Sequence, residues 1–335
     1  MIPCKTVSEH PLYWKKLFAS SYVGLSSFSN YLQTEELSPL NLTKEKLEKI
    51  DALFPIQLTK QLLDNYSTNS AVLRQYLPDE QELYDPPGYH HNPVGDIEAT
   101  QIPGVIKKYR HRVLLITSNT CPIHCRYCFR KDFPYPKSNP NTHMFKQALA
   151  FCEQDVSINE IILSGGDPLS LSDSLLKYLF ESIERIPHIK TIRLHTKFPS
   201  IFPARINSNF LKILANSSLN KICIFHINHP DEITKEFCDI ALKIKHTNTT
   251  TLNQSVLLKQ VNDSPKTLID LSRKLFNAGI LPYYLHMLDN ARGTHHFHVS
   301  RTEAESLMES IKSELPGYLV PKLAEEIAGK DSKIY

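Results

Sequence analysis

Apolar positions recur along this chain with two different periods. Six short runs, His111–Ser118, Glu160–Leu163, Thr191–His195, Lys221–Asn228, Thr249–Leu258 and Ile280–Leu288, are dense in branched apolar residues and read as strands. Between them the apolar positions fall three and four apart. The stretch Ser172–Arg185 is an example, with apolar residues at 175, 176, 179, 180 and 183 behind Ser172, a good helix N-cap. The stretches Asp231–Lys245 and Ser264–Ala278 read the same way. Strands alternating with helices predict a parallel sheet, and runs of this length and branched content suit a sheet buried on both faces. Six units fall short of the eight of a complete barrel, so the expected fold is α/β, a partial (β/α)6 barrel over residues 107–315.

The flanks differ. From about Ser8 to Leu77 a helical pattern is broken by Pro11, Pro39 and Pro55, and Asn41–Ile50 has apolar residues at helical spacing with a polar opposite face. Trp14, Leu17 and Phe18 in this layer are expected to be core or docking residues. Residues 78–104 are rich in proline and turns, which predicts a wrapping connector, so residues 1–106 form an N-terminal helical region plus that link. The adjacent His90 and His91 within it cannot face one site from a regular element, so no metal role is expected. Near the other end, Ser300 and Glu303 form a capping box, and His295, His296 and His298 before it read as a loop of solvated histidines. The tail, residues 316–335, would ordinarily be a frayed end.

Composition narrows the class. A chain of 335 residues, 41 % apolar, suits one large domain or one domain with an extension. A formal charge of +3 without a like-charge block gives no argument for a nucleic-acid or membrane partner. Seven cysteines, an odd number, behind an N-terminus without a signal-peptide apolar region point to reduced thiols in the cytoplasm. No apolar run approaches the roughly 20 residues of a membrane helix. The expectation is a soluble, oxygen-sensitive protein.

The chemistry concentrates in Thr120-Cys-Pro-Ile-His-Cys-Arg-Tyr-Cys-Phe-Arg130. Cys121, Cys125 and Cys128 have C-x3-C-x2-C spacing, which places three soft ligands in one loop. Three thiolates on a 4Fe-4S cluster leave one iron open to a substrate, whereas structural zinc and ferredoxin sites need four ligands. A zinc site closed by His124, or three unrelated thiols, are the competing readings. Cys4, Cys152, Cys223 and Cys238 are scattered among apolar neighbours and read as packed thiols.

In parallel α/β folds the reactive groups sit in loops after the strands. The cysteine loop follows the first predicted strand and Ser164-Gly165-Gly166-Asp167-Pro168 follows the second. His195-Thr-Lys197 ends the third, His226-Ile-Asn-His229 ends the fourth, Gln254 lies in the fifth and Asp289 follows the sixth. Gly165-Gly166 lets backbone approach a ligand, though Gly-Gly-Asp-Pro is also an ordinary turn. Arg130, two residues past Cys128, could pair with a carboxylate near the cluster or simply brace the loop, which Arg126 and Lys131 also flank. Unaided, Arg112 would be read as a surface residue.

With an aromatic residue before its third cysteine, the loop resembles the signature of the radical S-adenosylmethionine (SAM) enzymes. Val72-Leu-Arg-Gln-Tyr-Leu-Pro78, Leu194-His-Thr-Lys-Phe-Pro199, His226-Ile-Asn-His-Pro230, Asn253-Gln-Ser-Val-Leu-Leu258, Pro282-Tyr-Tyr284 and Gly317-Tyr-Leu-Val-Pro321 resemble one branch, the lysine 2,3-aminomutase family, from about residue 60 to the end. Length and the Tyr-Leu-Val-Pro-Lys-Leu-Ala segment look closest to its small members, the elongation factor P (R)-β-lysylation group.

The resemblance implies a TIM-like partial barrel of the radical SAM type and a short C-terminal tail that binds pyridoxal 5′-phosphate (PLP). It implies an isomerase that converts L-lysine to (R)-β-lysine with three cofactors: the 4Fe-4S cluster, SAM and PLP. By the same resemblance Cys121, Cys125 and Cys128 would hold the cluster, and Gly165, Gly166, His226 and Gln254 would line the SAM pocket. Arg112 would take the PLP phosphate, Arg130 the substrate carboxylate, and Asp289 with Glu326 the side-chain ammonium. Lys333 would carry PLP as an imine. An electron donor such as flavodoxin or ferredoxin, and a functional link to elongation factor P and its lysyl ligase, are implied too. A homo-oligomer is compatible with the resemblance.

Departures from the family lie in the tail. Larger aminomutases have a glycine run where this chain has Ala328-Gly-Lys-Asp-Ser332, so Lys330 competes with Lys333, and Glu326 stands where they have aspartate. An aminomutase for another amino acid such as glutamate, a radical SAM enzyme that modifies a macromolecule, and a non-catalytic electron-transfer protein are the rival functions.

Overall fold

The computed structural model describes residues 13–28, 42–66, 70–138 and 140–335; Cys4, Pro11, Pro39 and Asn41 lie outside the described residues. Two short strands, β1 (Tyr22–Val23) and β2 (Gln57–Leu58), form an antiparallel ribbon. Nine more build one sheet: β3 (Thr100–Ile102), β4 (Val105–Tyr109), β5 (Arg112–Ser118), β6 (Glu160–Gly165), β7 (Thr191–Thr196), β8 (Asn220–Phe225), β9 (Thr249–Val256), β10 (Leu281–His286) and β11 (Lys322–Ala324). Strands β5 to β10 are the six that the sequence predicts. They run parallel and lie side by side in chain order. That is the winding of a barrel wall, since a doubly wound sheet reverses its order at a switch point.

The helices between the strands follow their capping residues. Asp173–Glu184 starts where Ser172 accepts from the Leu175 amide and buries Leu176, Leu179, Phe180 and Ile183. Pro265–Asn277 is capped by Ser264, and Arg301–Glu314 carries the expected Ser300/Glu303 box. The expected helix at 231–245 begins later, as Lys235–Lys245 behind Thr234, because Pro230–Glu232 forms a separate 3-10 turn.

Alternation along the strands gives the sheet two unlike faces. Val113, Leu115, Ile161, Leu163, Ile192, Leu194, Cys223 and Phe225 pack in the main core with the helices. Arg112, Ser164, Arg193, His195, Gln254 and His286 point the other way and line a cavity. The inner face of the sheet is partly polar because it encloses a site.

Three further expectations change. The connector ends in β3, which pairs with β4 in a hairpin that extends the sheet antiparallel beyond β5. The tail is an ordered part of the sheet, with β11 parallel to β10 and Glu325 bridged to Ile334. The runs 221–228, 249–258 and 280–288 leave the sheet two or three residues early, after Phe225, Val256 and His286. The last residues of each run turn into the loops that carry the site.

The N-terminal layer packs on the barrel as expected for Trp14, which is buried edge-on against Phe198 at 5.3 Å. Phe18 meets Phe198 and Phe202. The three histidines before Ser300 do not form a solvated loop. His296 is buried and His295 is half-buried under the rings of Tyr84 and Tyr89, leaving only His298 exposed.

Candidate active site

The cysteine loop follows β5 and is gripped by the N-terminal layer. Gln57 Nε2 donates to the Cys121 carbonyl at 2.7 Å, and the Gln75 carbonyl accepts from the Arg126 amide at 2.8 Å. Arg126, fully buried, brings Nη2 to 2.6 Å from Glu82 Oε2 and Nη1 to 3.0 Å from the Phe54 carbonyl. This flanking arginine is a brace. His124 stacks on Phe54 with centroids 4.6 Å apart, and its Nδ1 lies 2.8 Å from the Pro55 carbonyl. Both contacts turn it toward the N-terminal layer and argue against a zinc site closed by His124.

Burial pushes the three thiols up, Cys125 to about 11 and Cys121 and Cys128 above the usual range. Arg130 opposes this at Cys121 and Cys128, and Lys197 at Cys125. Three desolvated thiols in one loop beside cationic side chains fit a bound iron cluster, since a coordinated cation stabilises their thiolate forms.

Gly165 ends β6 and Gly166 follows it, both directly against this loop. Gly165 has φ +115°, and a Cβ there would meet the Ser118 carbonyl oxygen at 2.6 Å. At Gly166 a Cβ would lie 2.5–2.7 Å from the backbone of Thr120. The Gly166 and Asp167 amides donate to the Ser118 and Thr120 carbonyls. The space that the sequence assigns to a ligand is here taken up, on one side, by the backbone of the cysteine loop. Asp167 then ties β6 to β7, accepting from Thr196 Oγ1 and from the Lys197 and Phe198 amides.

Inside the curled sheet lies a cavity of about 230 Å³. Arg112, Arg130, His226, Gln254, Asp289, Glu326 and Lys333 all line it, drawn from positions far apart in the chain. Arg130 does not reach into it freely: its Nε lies 2.6 Å from Asp96 Oδ2. Lys108 Nζ lies 2.6 Å from the other Asp96 oxygen and 3.5 Å from Glu326 Oε1. Lys333 pairs with Glu326, whereas Lys330 is exposed on the preceding turn. These contacts join the hairpin at one end of the sheet to the segment beyond β11 at the other, so side chains help close the partial barrel.

Of the charged groups that line the cavity, two have no counter-ion among the described residues. The Arg112 guanidinium forms neither ion pair nor side-chain hydrogen bond and lies 4.2 Å over the Tyr109 ring. Asp289 is likewise unpaired, and burial, aided by Glu326 and opposed by Lys333, raises its carboxyl to about 7. Burial also raises the Glu326 carboxyl, but Lys333, Lys108 and Tyr109 outweigh it and hold the group below the usual range. Burial takes His226 down to about 3 and leaves His195 and His286 well below the ordinary imidazole value, so all three rings are neutral at pH 7. His195 Nε2 is buried with no hydrogen-bond partner among the described residues.

Sequence reasoning missed Asp96, Lys108, Tyr109, Arg193 and His286. The first three belong to the connector and its hairpin. Pro103-Gly104 between two short apolar runs, a turn dipeptide with Gly104 at φ +82°, was the available signal.

The chain matches the model of the radical SAM superfamily over residues 115–288. It is 39% identical over 284 residues to the L-lysine 2,3-aminomutase of Escherichia coli (strain K12), covering 84% of this chain and 83% of that protein. The chain belongs to the radical SAM lysine 2,3-aminomutase family. The L-lysine 2,3-aminomutase of Haemophilus influenzae is 39% identical over 303 residues, 89% of this chain and 90% of the relative. That of Clostridium subterminale is 29% identical over 319 residues, 91% and 75% of the two chains. Membership makes the protein an enzyme of the isomerase type and implies a 4Fe-4S cluster, SAM and PLP as its cofactors. Among the described residues no helix is long and apolar enough to cross a membrane.

Proposed function

We propose that the protein converts L-lysine to (R)-β-lysine with PLP, SAM and the cluster, and that the product is made for attachment to elongation factor P by a lysyl ligase. The observation that carries the reaction is the charge layout of the cavity. An unpaired guanidinium, a lysine, an arginine and an unpaired carboxylate face one enclosed volume. This layout matches a ligand set with a phosphate, a carbonyl that condenses with amines, a carboxylate and a distant ammonium.

Cys121, Cys125 and Cys128 hold the cluster, and the backbone at Gly165 and Gly166 with His226 and Gln254 receives SAM. Arg112 takes the PLP phosphate, since its guanidinium has no anion among the described residues. Lys333 anchors PLP, and its place in the cavity favours it over the exposed Lys330. Arg130 takes the substrate carboxylate by bidentate geometry. Asp289 and Glu326 take the side-chain ammonium, where a second substrate carboxylate would be repelled; this disfavours glutamate. Bound together, the cluster and SAM supply a hydrogen-abstracting radical, and PLP supplies a π system through which an amino group migrates. The protein's share is to bind, orient and exclude water, and neutral His195, His226 and His286 add no charge to the enclosure.

Support for the elongation factor link is the Tyr318-Leu-Val-Pro-Lys-Leu-Ala324 segment, which resembles the small members of the family. A flavodoxin or ferredoxin would supply the electron, in the cytoplasm. The test is transfer: purified protein, L-lysine and the cofactors are combined with elongation factor P and its ligase. A mass gain on the factor that depends on this protein supports the assignment. Formation of β-lysine without that gain would restrict the function to the free amino acid.

A further inference from the structure

Tyr109, on β4, touches two charged groups that sequence reasoning treats separately. Its hydroxyl lies 2.8 and 2.9 Å from the two carboxylate oxygens of Glu326. The face of its ring carries the Arg112 guanidinium, 4.2 Å from the ring centre. Glutamate at 326 has one more rotor than the aspartate of the larger relatives, so its carboxylate can sweep a wider arc unless something holds it. Within the cavity Lys108 reaches it only at 3.5 Å, and Lys333 is the residue read as the cofactor's anchor.

We infer that Tyr109 is a positioning and specificity-determining residue: its hydroxyl fixes the Glu326 carboxylate that receives the substrate's side-chain ammonium, and its ring holds Arg112 toward the cofactor's phosphate. This rests on the reading of the cavity as a PLP and lysine site. The two contacts come from different parts of one side chain and are separable. Phenylalanine keeps the ring and removes the donor, and leucine removes both. Burial and the neighbouring carboxylate raise the Tyr109 hydroxyl above its ordinary value, so it remains a donor throughout the working pH range.

The experiment uses full-length reconstituted protein and its Tyr109→Phe and Tyr109→Leu variants. PLP affinity is read by fluorescence titration, which needs no turnover. L-Lysine turnover is compared with inhibition by L-norleucine, which has the same carbon chain without the ammonium. Losing a hydrogen bond to a charged group predicts that Tyr109→Phe raises KM for L-lysine about tenfold or more. Its kcat, its PLP affinity and its Ki for L-norleucine should stay within about threefold of wild type. Tyr109→Leu should in addition weaken PLP binding several-fold, by losing the cation–π contact. An unchanged KM in Tyr109→Phe, or equal weakening of L-lysine and L-norleucine, overturns the specificity role. Wild-type PLP affinity in Tyr109→Leu overturns the arginine role. A wild-type protein that binds PLP but leaves L-lysine unchanged refutes the substrate assignment instead, while the PLP titration still decides the arginine role.

Discussion

Lys333 Nζ is ion-paired with Glu326 across the cavity, while Lys330, three residues earlier, points into solvent. The antiparallel bridge of Glu325 with Ile334 folds the tail back and brings the two partners together. Borohydride reduction of PLP-loaded protein should therefore fix the pyridoxyl group on Lys333. Peptide mapping that finds the label on Lys330 would contradict this geometry.

Asp289 gives a pH signature. Its carboxyl is raised to about 7 in the folded chain, against about 3.9 when unfolded. Between those values the native chain holds a proton that the unfolded chain has released, so this group's share of stability falls as pH rises through the window. In ligand-free protein, Asp289→Asn should therefore melt above wild type at pH 8 and level with it near pH 4. L-Lysine affinity should run the opposite way in wild type, improving as pH rises through about 7, and be weak and flat in the variant. Parallel melting curves at both pH values would refute the assignment.

Gly166 sits where any Cβ would strike the Thr120 backbone at 2.5–2.7 Å, and backbone cannot swing aside. Gly166→Ala should destabilise the protein by about 1–3 kcal/mol and reduce bound iron per chain after reconstitution. Gly317→Ala, where a Cβ meets nothing within 4 Å, is the control. Equal iron content in the two variants would show that the loop tolerates the displacement.

Arg126 and Glu82 form a buried pair beneath the cysteine loop. Replacing only Arg126 by methionine leaves the buried Glu82 with the Asp79 amide but without its counter-ion, and should cost about 3–5 kcal/mol in anaerobic urea unfolding. Replacing both by apolar residues should recover much of that. A single variant as stable as wild type would mean that the brace carries no weight.

How much of this was legible beforehand follows from what each signal depends on. Branched apolar runs and capped helices are local, so β5 to β10 and the helix behind Ser172 could be read from neighbours in sequence. Cys121, Cys125 and Cys128 share one loop and carry a spacing. Lys333 and Asp289 emerged only by resemblance to relatives, since a lysine near a terminus has no distinguishing pattern. Asp96, Lys108 and Tyr109 were invisible for a different reason: their partners Arg130 and Glu326 lie 34 and more than 200 residues away, and a hairpin of three- and five-residue strands barely disturbs a proline-rich link. His295 was misjudged because the rings packed edge-on against it come from Tyr84 and Tyr89 in that same link, and His296 is buried behind it against Phe297.

The most direct test of the central claim is one anaerobic incubation of reconstituted protein with L-lysine, SAM, PLP and dithionite, followed by chromatography of the amino acids. β-Lysine that accumulates without equivalent loss of SAM is the predicted result. Release of 5′-deoxyadenosine with L-lysine left unchanged would contradict the substrate reading and leave only the radical chemistry.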